Sequence, residues 1–574
     1  MLTHIVEKRL TQALLLVGCL TTFLINPWGN YDPINPIKVL TLSTIAFFTF
    51  GLLTSKLEVF TSLLPRIFLF SIIFFVTWMF IVLFVSQAPK TQQIWGMFGR
   101  NTGIVMYLSL VLIQIASSCL RKEENFHTLL KGFLLMGLIE TFYSYLQLSK
   151  MDPIKWNIQD IFGTLGNANF LSAFLGMTAI ASLALSLKKN VIFKRRSLLF
   201  IFLILQLIIL KSTSSIQGLM IFLGSSVVVL YIYLKFLPKF KKLKLPYLIM
   251  SIILLIFTSL ALFNIGPLRK LVYQDTIIFR TDYWHAGFKM TIANPIFGVG
   301  IDSYGDWYRT FRGFISATRT DPNRTANTAH NIFLDISSGG GIPLIIAYLA
   351  MLSIAIALSL KYLKSSRNYD PVFTSFFASW IGYQLQSFIS INQVGVGVWG
   401  WILTGLLVGY CRMKLDSTKS SASVTSGALQ DPKKNDRTSR KRTPKQQLLN
   451  PGVAVIGFAF MVGGFLLSLP PMVADLKFRA AMNKGDLNSM ISASQSIGAT
   501  AWHITQVVEV ASKSNYLPQA IQMDQELIKR FPRDFYGWRV AASLNGIPSD
   551  LQAKARIKIL ELDPDNPNLD EFKK

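Results

Sequence analysis

The sequence predicts an all-α, polytopic membrane protein of about 12 to 13 transmembrane helices, with a large extracytoplasmic loop and a C-terminal soluble domain of helical-repeat character. Three observations predict it. Hydrophobic residues make up 51% of the chain, and apolar runs of bilayer-spanning length recur from Leu10 to Leu469. Basic residues crowd the short loops between alternate runs. After Pro471 the apolar runs stop, and helix endings followed by proline take their place.

A membrane domain over 1–412 holds the expected spans 10–26, 37–54, 67–86, 103–120, 129–148, 169–187, 197–211, 216–234, 246–264, 341–360, 372–391 and 394–412. A further span at 451–470 follows a linker. The first run comes after Lys8 and Arg9 and lacks a small-residue cleavage site, so it reads as a retained helix rather than a removed signal peptide. With the N-terminus cytoplasmic, the loops bearing Lys56 and Arg66, Arg121 and Lys122, 188–196, 235–244, 361–367 and 413–450 all fall on the cytoplasmic side, and the C-terminal domain falls outside. Topology therefore accounts for the formal charge of +27, and no nucleic acid is expected as a partner. The spans are nearly free of charge, which argues against a transporter or flippase. Cys19, Cys119 and Cys411 lie inside or at the ends of apolar runs, so neither a disulfide framework nor a CxxC metal site is readable.

Segment 413–450 is rich in Ser, Thr and basic residues and lacks aromatics, the composition of a disordered linker. Its "SRKRTPK" suits anionic membrane lipid, or serves only to fix topology. The tail, 471–574, carries "ELIKRFPRDF" and "KILELDPDNP", whose Pro532 and Pro564 stand close to the tetratricopeptide period of about 34 residues. A plain helical hairpin is the alternative; a tetratricopeptide-like tail outside the membrane suits a protein or cell-surface partner.

Chemistry is expected on the outer side. Of five histidines, His4 and His127 are predicted cytoplasmic, while His285, His330 and His503 face outward. Only His330, in "NTAHNIFLD" (327–335), stands where a polar loop meets an apolar helix. A neutral imidazole there can take a proton from a water-borne reactant beside a membrane-borne one; a helix cap or interface packing is the bland alternative. The loop 265–340 carries Arg269, Arg280, Arg309, Arg312, Arg319 and Arg324 against only two lysines. Arginine's fixed fork suits phosphate or diphosphate, although the loop's aspartates offer it partners too. In "FRTDYWHAGFKMTIANPIFGVGIDSY" (279–304), Arg280, Trp284, Phe288 and Ile292 fall on one face of a short helix that Pro295 ends, with Gly298 and Gly300 permitting a tight turn. In "FGTLGNANFLSAFL" (162–175), Asn167 and Asn169 precede a helix whose N-terminus favours an anion; ordinary capping is expected of Asn169.

Together, "GMFGRNTG" (96–103), "GTLGNANFLSAFL" (163–175), "FRTDYW…NPIFGVGIDSY" (279–304) and "AHNIFLDISSGGGIPL" (329–344) resemble, in order and over roughly residues 10 to 412, the bacterial O-antigen ligase and polymerase superfamily of membrane glycosyltransferases. The resemblance implies transfer of a glycan from a polyprenyl diphosphate carrier to an acceptor hydroxyl on a glycan, lipid or protein, at the outer face of the bacterial inner membrane. It implies His330 as general base, Arg280 as the arginine holding the diphosphate, and Arg100 in a phosphate or glycan role. Asn167, Trp284, Asn331 and Arg324 are the further substrate-binding expectations, and no metal or other cofactor is implied. Ligase, polymerase and protein oligosaccharyltransferase share these motifs. The departure is at "STSSIQG" (212–218), where many members carry Thr-x-Ser-Arg and this chain has Ile216 and Gln217, so a cation expected near the diphosphate is missing; Arg100, or one of Arg309 to Arg324, is the expected substitute.

Overall fold

In the computed structural model, which describes residues 4–54, 61–157, 160–273, 275–319, 321–426 and 450–572, every regular element is a helix. The membrane part runs α1 (His4–Phe23), α2 (Asn35–Thr54), α3 (Arg66–Val85), α4 (Lys90–Trp95), α5 (Ile104–Ser118), α6 (Glu123–Leu148), α7 (Ala168–Ser186), α8 (Phe193–Ser212), α9 (Gln217–Lys235) and α10 (Lys244–Ala261). The segment expected as a large loop holds helices of its own, α11 (Arg269–Val272), α12 (Asp275–Ala293), α13 (Tyr304–Phe311) and α14 (Phe314–Thr318). Then come α15 (Ile332–Ser365), α16 (Pro371–Ser387), α17 (Val394–Ser426) and α18 (Pro451–Lys484). The tail adds α19 (Leu487–Ser494), α20 (Ala501–Lys513), α21 (Leu517–Arg530), α22 (Phe535–Ser543) and α23 (Ser549–Leu562).

Each expected span falls on a helix, but only nine helices among the described residues, α2, α3, α6, α7, α9, α10, α15, α17 and α18, are long and apolar enough to cross a membrane. α5 is apolar but shorter, α16 has 17 residues, and α1 and α8 carry charged first turns. The span of α17 is wholly buried at the centre of the bundle, whereas only 6% of the α10 span is buried, so α10 stands at the lipid rim.

The loops expected on the basic side do meet at one end of the bundle. Arg121 donates to the Leu63 carbonyl at 2.6 Å, Glu7 accepts from the amides of Arg121 and Lys122, and the Tyr369 hydroxyl donates to the Ala184 carbonyl. Two charges correct the expectation of nearly charge-free spans: Lys38 in α2 and Glu140 in α6 are both fully buried.

Two boundaries also move. α17 continues to Ser426, so the start of the segment read as a linker is helical, while 427–449 lies outside the described residues. α18 passes through Pro470 and Pro471 without ending and runs to Lys484, so the last span continues as helix into the segment read as the tail. Small residues let α18 pack closely along α2: a Cβ on Gly464 would stand 2.6 Å from the Ser43 carbonyl oxygen, and one on Gly51 would stand 2.9 Å from the Gly457 Cα.

α15 breaks at Gly341, whose φ is +77°, one residue before Ile342 and Pro343 resume the helix. The carbonyls freed by the break are received elsewhere, as buried backbone groups must be. Val299 and Gly300 donate to the carbonyls of Ser338 and Gly339 at 2.7 and 3.0 Å, and the Trp78 indole donates to Gly340 at 2.9 Å. The Ile342 amide donates back to Pro295 at 2.7 Å. The "NPIFGVG" turn is thus a clip that fixes the end of α12 against the break in α15. Its glycines leave no room for a side chain: a Cβ on Gly298 would stand 2.6 Å from the Gly340 nitrogen.

Candidate active site

At the end of the bundle opposite the basic loops lies a cavity of about 480 Å³. Six stretches distant in sequence line it, represented by Asp32 and Asn35, Gly99 and Arg100, Leu165 to Asn167, Tyr283, Thr325 to Thr328 with His330, and Ile391 with Gln393. A recess of about 30 Å³, lined by Asp302 and Asp335, shares Thr102, Asn327, Thr328 and Ile391 with it.

His330 lies in the left-handed region at φ +48°, a conformation in which the chain turns sharply before α15 starts. Local polar contacts hold this turn. The His330 amide donates to Thr328 Oγ1 at 3.0 Å, the Ala329 amide donates to Asp335 Oδ1 at 2.8 Å, and Asn331 caps α15 by accepting from the Leu334 amide at 3.1 Å. The imidazole stacks on Tyr283 at 5.5 Å between ring centres, and neither ring nitrogen has a hydrogen-bond partner among the described residues. Burial, then the positive charges of Arg280 and Arg100, push its pKa down to about 4, so the ring is neutral near pH 7.

Arg100 is 9% exposed and lines the cavity. Its Nη2 donates to Asp302 Oδ1 at 3.0 Å, and Asp302 Oδ2 accepts from the Met97 amide at 2.8 Å. Nε and Nη1 of Arg100 are buried with no partner among the described residues. A guanidinium held at one edge and unsatisfied at the others is prepared for an anion. Arg280 is partly buried on α12, where burial lowers its pKa, and it acts on His330 more strongly than Arg100 does.

The other expected residues divide. Asn167 lines the cavity and also caps α7, its side chain accepting from the Asn169 amide at 2.8 Å. The capping role expected of Asn169 therefore belongs to Asn167, and Asn169 instead accepts from the Ser215 hydroxyl at 2.7 Å. Trp284 stands one turn beyond Arg280, its ring 6.3 Å from Phe263 at the end of α10, with a buried indole N–H that has no partner among the described residues. Phe288 and Ile292, further along that face, are exposed. Arg324 stands over Phe279 with its guanidinium carbon 3.7 Å from the ring centre and does not line the cavity. Arg309 and Arg312 bind Asp563 of the tail, and Arg319 binds Asp282. These three are committed to carboxylates, so of the expected substitutes for the missing cation only Arg100 lines the cavity.

With this arrangement in place, the comparison with known families bears on the region that supplies His330 and Arg280. The O-antigen ligase family model matches residues 198–349. That stretch is about a quarter of the chain and contains Arg280, Trp284, Arg324, His330 and Asn331, whereas Arg100 and Asn167 lie before it. The similarity supports a ligase- or polymerase-type membrane glycosyltransferase. No curated protein matches the chain.

The sequence singles out neither Asp335 nor Asp32, and it offers Asp302 only as one of several loop carboxylates that can pair with arginine. The aspartates of the large loop read as generic partners for arginine, and nothing local distinguishes Asp302, whose partner is some two hundred residues away. A signal did exist for Lys38 and Glu140, since an ionisable residue inside an apolar span is a functional or structural marker by default.

Proposed function

We propose that this chain is a glycosyltransferase of the O-antigen ligase type, moving a glycan from a polyprenyl diphosphate carrier to an acceptor hydroxyl at the extracytoplasmic face of a bacterial inner membrane. The observation that carries the reading is the convergence of neutral His330 and half-satisfied Arg100 on one cavity, with Arg280 close enough to depress the histidine.

The chemistry follows from the charges. His330 takes the proton of the acceptor hydroxyl as its oxygen attacks the anomeric carbon from the side opposite the carrier. The bond from that carbon to the diphosphate oxygen breaks, and the electron pair leaves with the diphosphate. Arg280 and Arg100 stabilise the developing negative charge, and their forks suit two phosphate groups better than lysine does. Asn167 and Trp284 contact the glycan or carrier; Asn331 holds the turn that aims His330. Arg324 binds substrate only if it leaves Phe279. No metal or other cofactor enters this scheme.

We read the tail as tetratricopeptide-like. α21 and α23 each end just before Pro532 and Pro564, and α20 to α23 pack as successive helix pairs. Such a tail outside the membrane suits a protein or cell-surface partner, which favours ligation over polymerisation.

The test is the length distribution of carrier-linked glycan in cells lacking the protein, compared with cells complemented by wild type or His330→Ala. Long chains stranded on the carrier indicate ligase or protein transferase, and single repeat units indicate polymerase. An unchanged distribution overturns the enzymatic reading.

A further inference from the structure

The tail is bound to each of three outer segments that form or support the cavity. Asp563, just after α23, is fully buried and receives Arg312 through Nε at 3.0 Å and Nη2 at 2.7 Å, and Arg309 through Nη1 at 2.9 Å. Arg312 also donates to the carbonyls of Pro322 and Arg324, the start of the stretch that runs through the cavity-lining residues 325–328 to His330. Arg533 lies on the Trp307 ring at 3.4 Å and donates to Thr310 Oγ1 at 2.7 Å, while Thr310 donates to the Leu562 carbonyl.

On the second segment, Trp502 stacks on Phe98 with ring centres 3.9 Å apart and planes 5° from parallel, two residues before Arg100. On the third, Asp475 of α18 accepts from the Asn30 side chain at 2.9 Å and from the amide of cavity-lining Asp32 at 3.1 Å. Arg479, one turn on, donates to the Pro27 carbonyl at 2.8 Å.

Buried charge pairs of this kind contribute little net stability, because desolvation offsets attraction, yet they fix geometry closely. A domain needed only for solubility or partner capture has no reason to bury a carboxylate between two arginines of the catalytic loop. We propose that the tail is a clamp on the active site, in which Asp563, through Arg312, is a positioning residue that sets where His330 stands. This rests on the glycosyl-transfer reading for its catalytic part and on geometry alone for the clamp.

The experiment compares full-length wild type, Asp563→Asn and Asp563→Glu, purified in detergent and reconstituted with a polyprenyl-diphosphate-linked oligosaccharide as the donor probe. Two quantities are read: amide hydrogen exchange over 322–331, and kcat separately from the donor KM. Asp563→Asn keeps the shape but removes the charge that both arginines need. It is expected to raise exchange over 322–331 and lower kcat about tenfold with donor KM within twofold of wild type, and Asp563→Glu is expected to recover most of kcat. A general folding defect would instead raise exchange throughout, lower the active fraction and leave Glu no better than Asn, which overturns the positioning role. Unchanged local exchange overturns the clamp, and faster exchange with unchanged kcat overturns its catalytic part. A wild type silent in transfer sinks the proposed function, and the exchange readout still decides whether the tail holds the loop.

Discussion

Arg100 and Asp302 form a buried pair, Nη2 to Oδ1 at 3.0 Å, that leaves Nε and Nη1 of the guanidinium without a partner among the described residues. Asp302 has a second duty, accepting from the Met97 amide at the start of the Arg100 loop. Asp302→Ala should therefore remove both anchors and leave a buried cation uncompensated, a loss of roughly 3–5 kcal/mol when one partner of a buried pair is deleted. A fall in thermal midpoint is expected together with weaker donor binding. Arg100→Lys keeps the charge but loses the fork, and should weaken donor binding with little change in midpoint. If donor binding is unaffected in both variants, Arg100 is a structural cation only.

His330 should give an unusual pH profile. In the free protein burial, Arg280 and Arg100 hold its pKa at about 4, so the basic form persists far into acid. Bound diphosphate places negative charge against those two arginines, which favours the imidazolium and raises the pKa. The acidic limb of kcat/KM, which reports the free protein, should thus lie at lower pH than the acidic limb of kcat, which reports the complex. Arg280→Gln removes one repelling charge and should move the kcat/KM limb upward. Coincident limbs, or a limb that Arg280→Gln leaves in place, would count against His330 as the base. His330→Ala itself should abolish transfer while the protein stays inserted and stable.

The clip between "NPIFGVG" and the α15 break ties the helix that carries Arg280 to the helix that follows His330, so it should be intolerant of side chains. At Gly341 the φ of +77° and the Pro295 carbonyl, 2.8 Å from where a Cβ would be, both oppose alanine. Backbone strain alone costs roughly 1–3 kcal/mol at such a position. Gly341→Ala and Gly298→Ala should each lower the thermal midpoint and the transfer rate, and do so more than Gly463→Ala, where a Cβ meets nothing within 4 Å. Equal effects at the three positions would remove the clip from the account.

The legible parts of this protein were those written in local patterns. Apolar run length found a helix for each span, alternating basic loops found the shared end, and the loop–helix junction read around His330 is the turn that precedes α15. Proline and paired glycines in "NPIFGVG" correctly ended α12, although only the structure shows what their backbone amides bind. Arg280 and Trp284 were readable as one helix face. Arg309 and Arg312 were not separable from Arg280 in sequence, because what distinguishes them is Asp563, about 250 residues later. Asn167 and Asn169 illustrate the same limit on a short scale: either can cap α7, and Asn169 is instead engaged by Ser215, in the turn between α8 and α9.

Lys38 and Glu140 offer the sharpest separation of single from paired effects. Lys38 Nζ donates to the Thr21 carbonyl at 3.0 Å and to that of Thr22. The Thr164 hydroxyl lies 2.9 Å from the same Thr22 carbonyl and against the Glu140 carboxylate, which also accepts from the Thr164 amide at 3.0 Å. The two charges thus meet across one carbonyl and one hydroxyl, next to the cavity-lining Leu165 to Asn167 turn. Lys38→Met strands a carboxylate in the bundle and should cost roughly 3–5 kcal/mol. In Lys38→Met/Glu140→Gln no charge is stranded, and the glutamine oxygen still accepts from Thr164, so most of that loss should return as a recovered thermal midpoint in detergent. Transfer should recover with it, because the turn regains its anchor. If the double variant is as damaged as the single, the two residues act independently, and Lys38 matters through its bonds to the end of α1 rather than through Glu140.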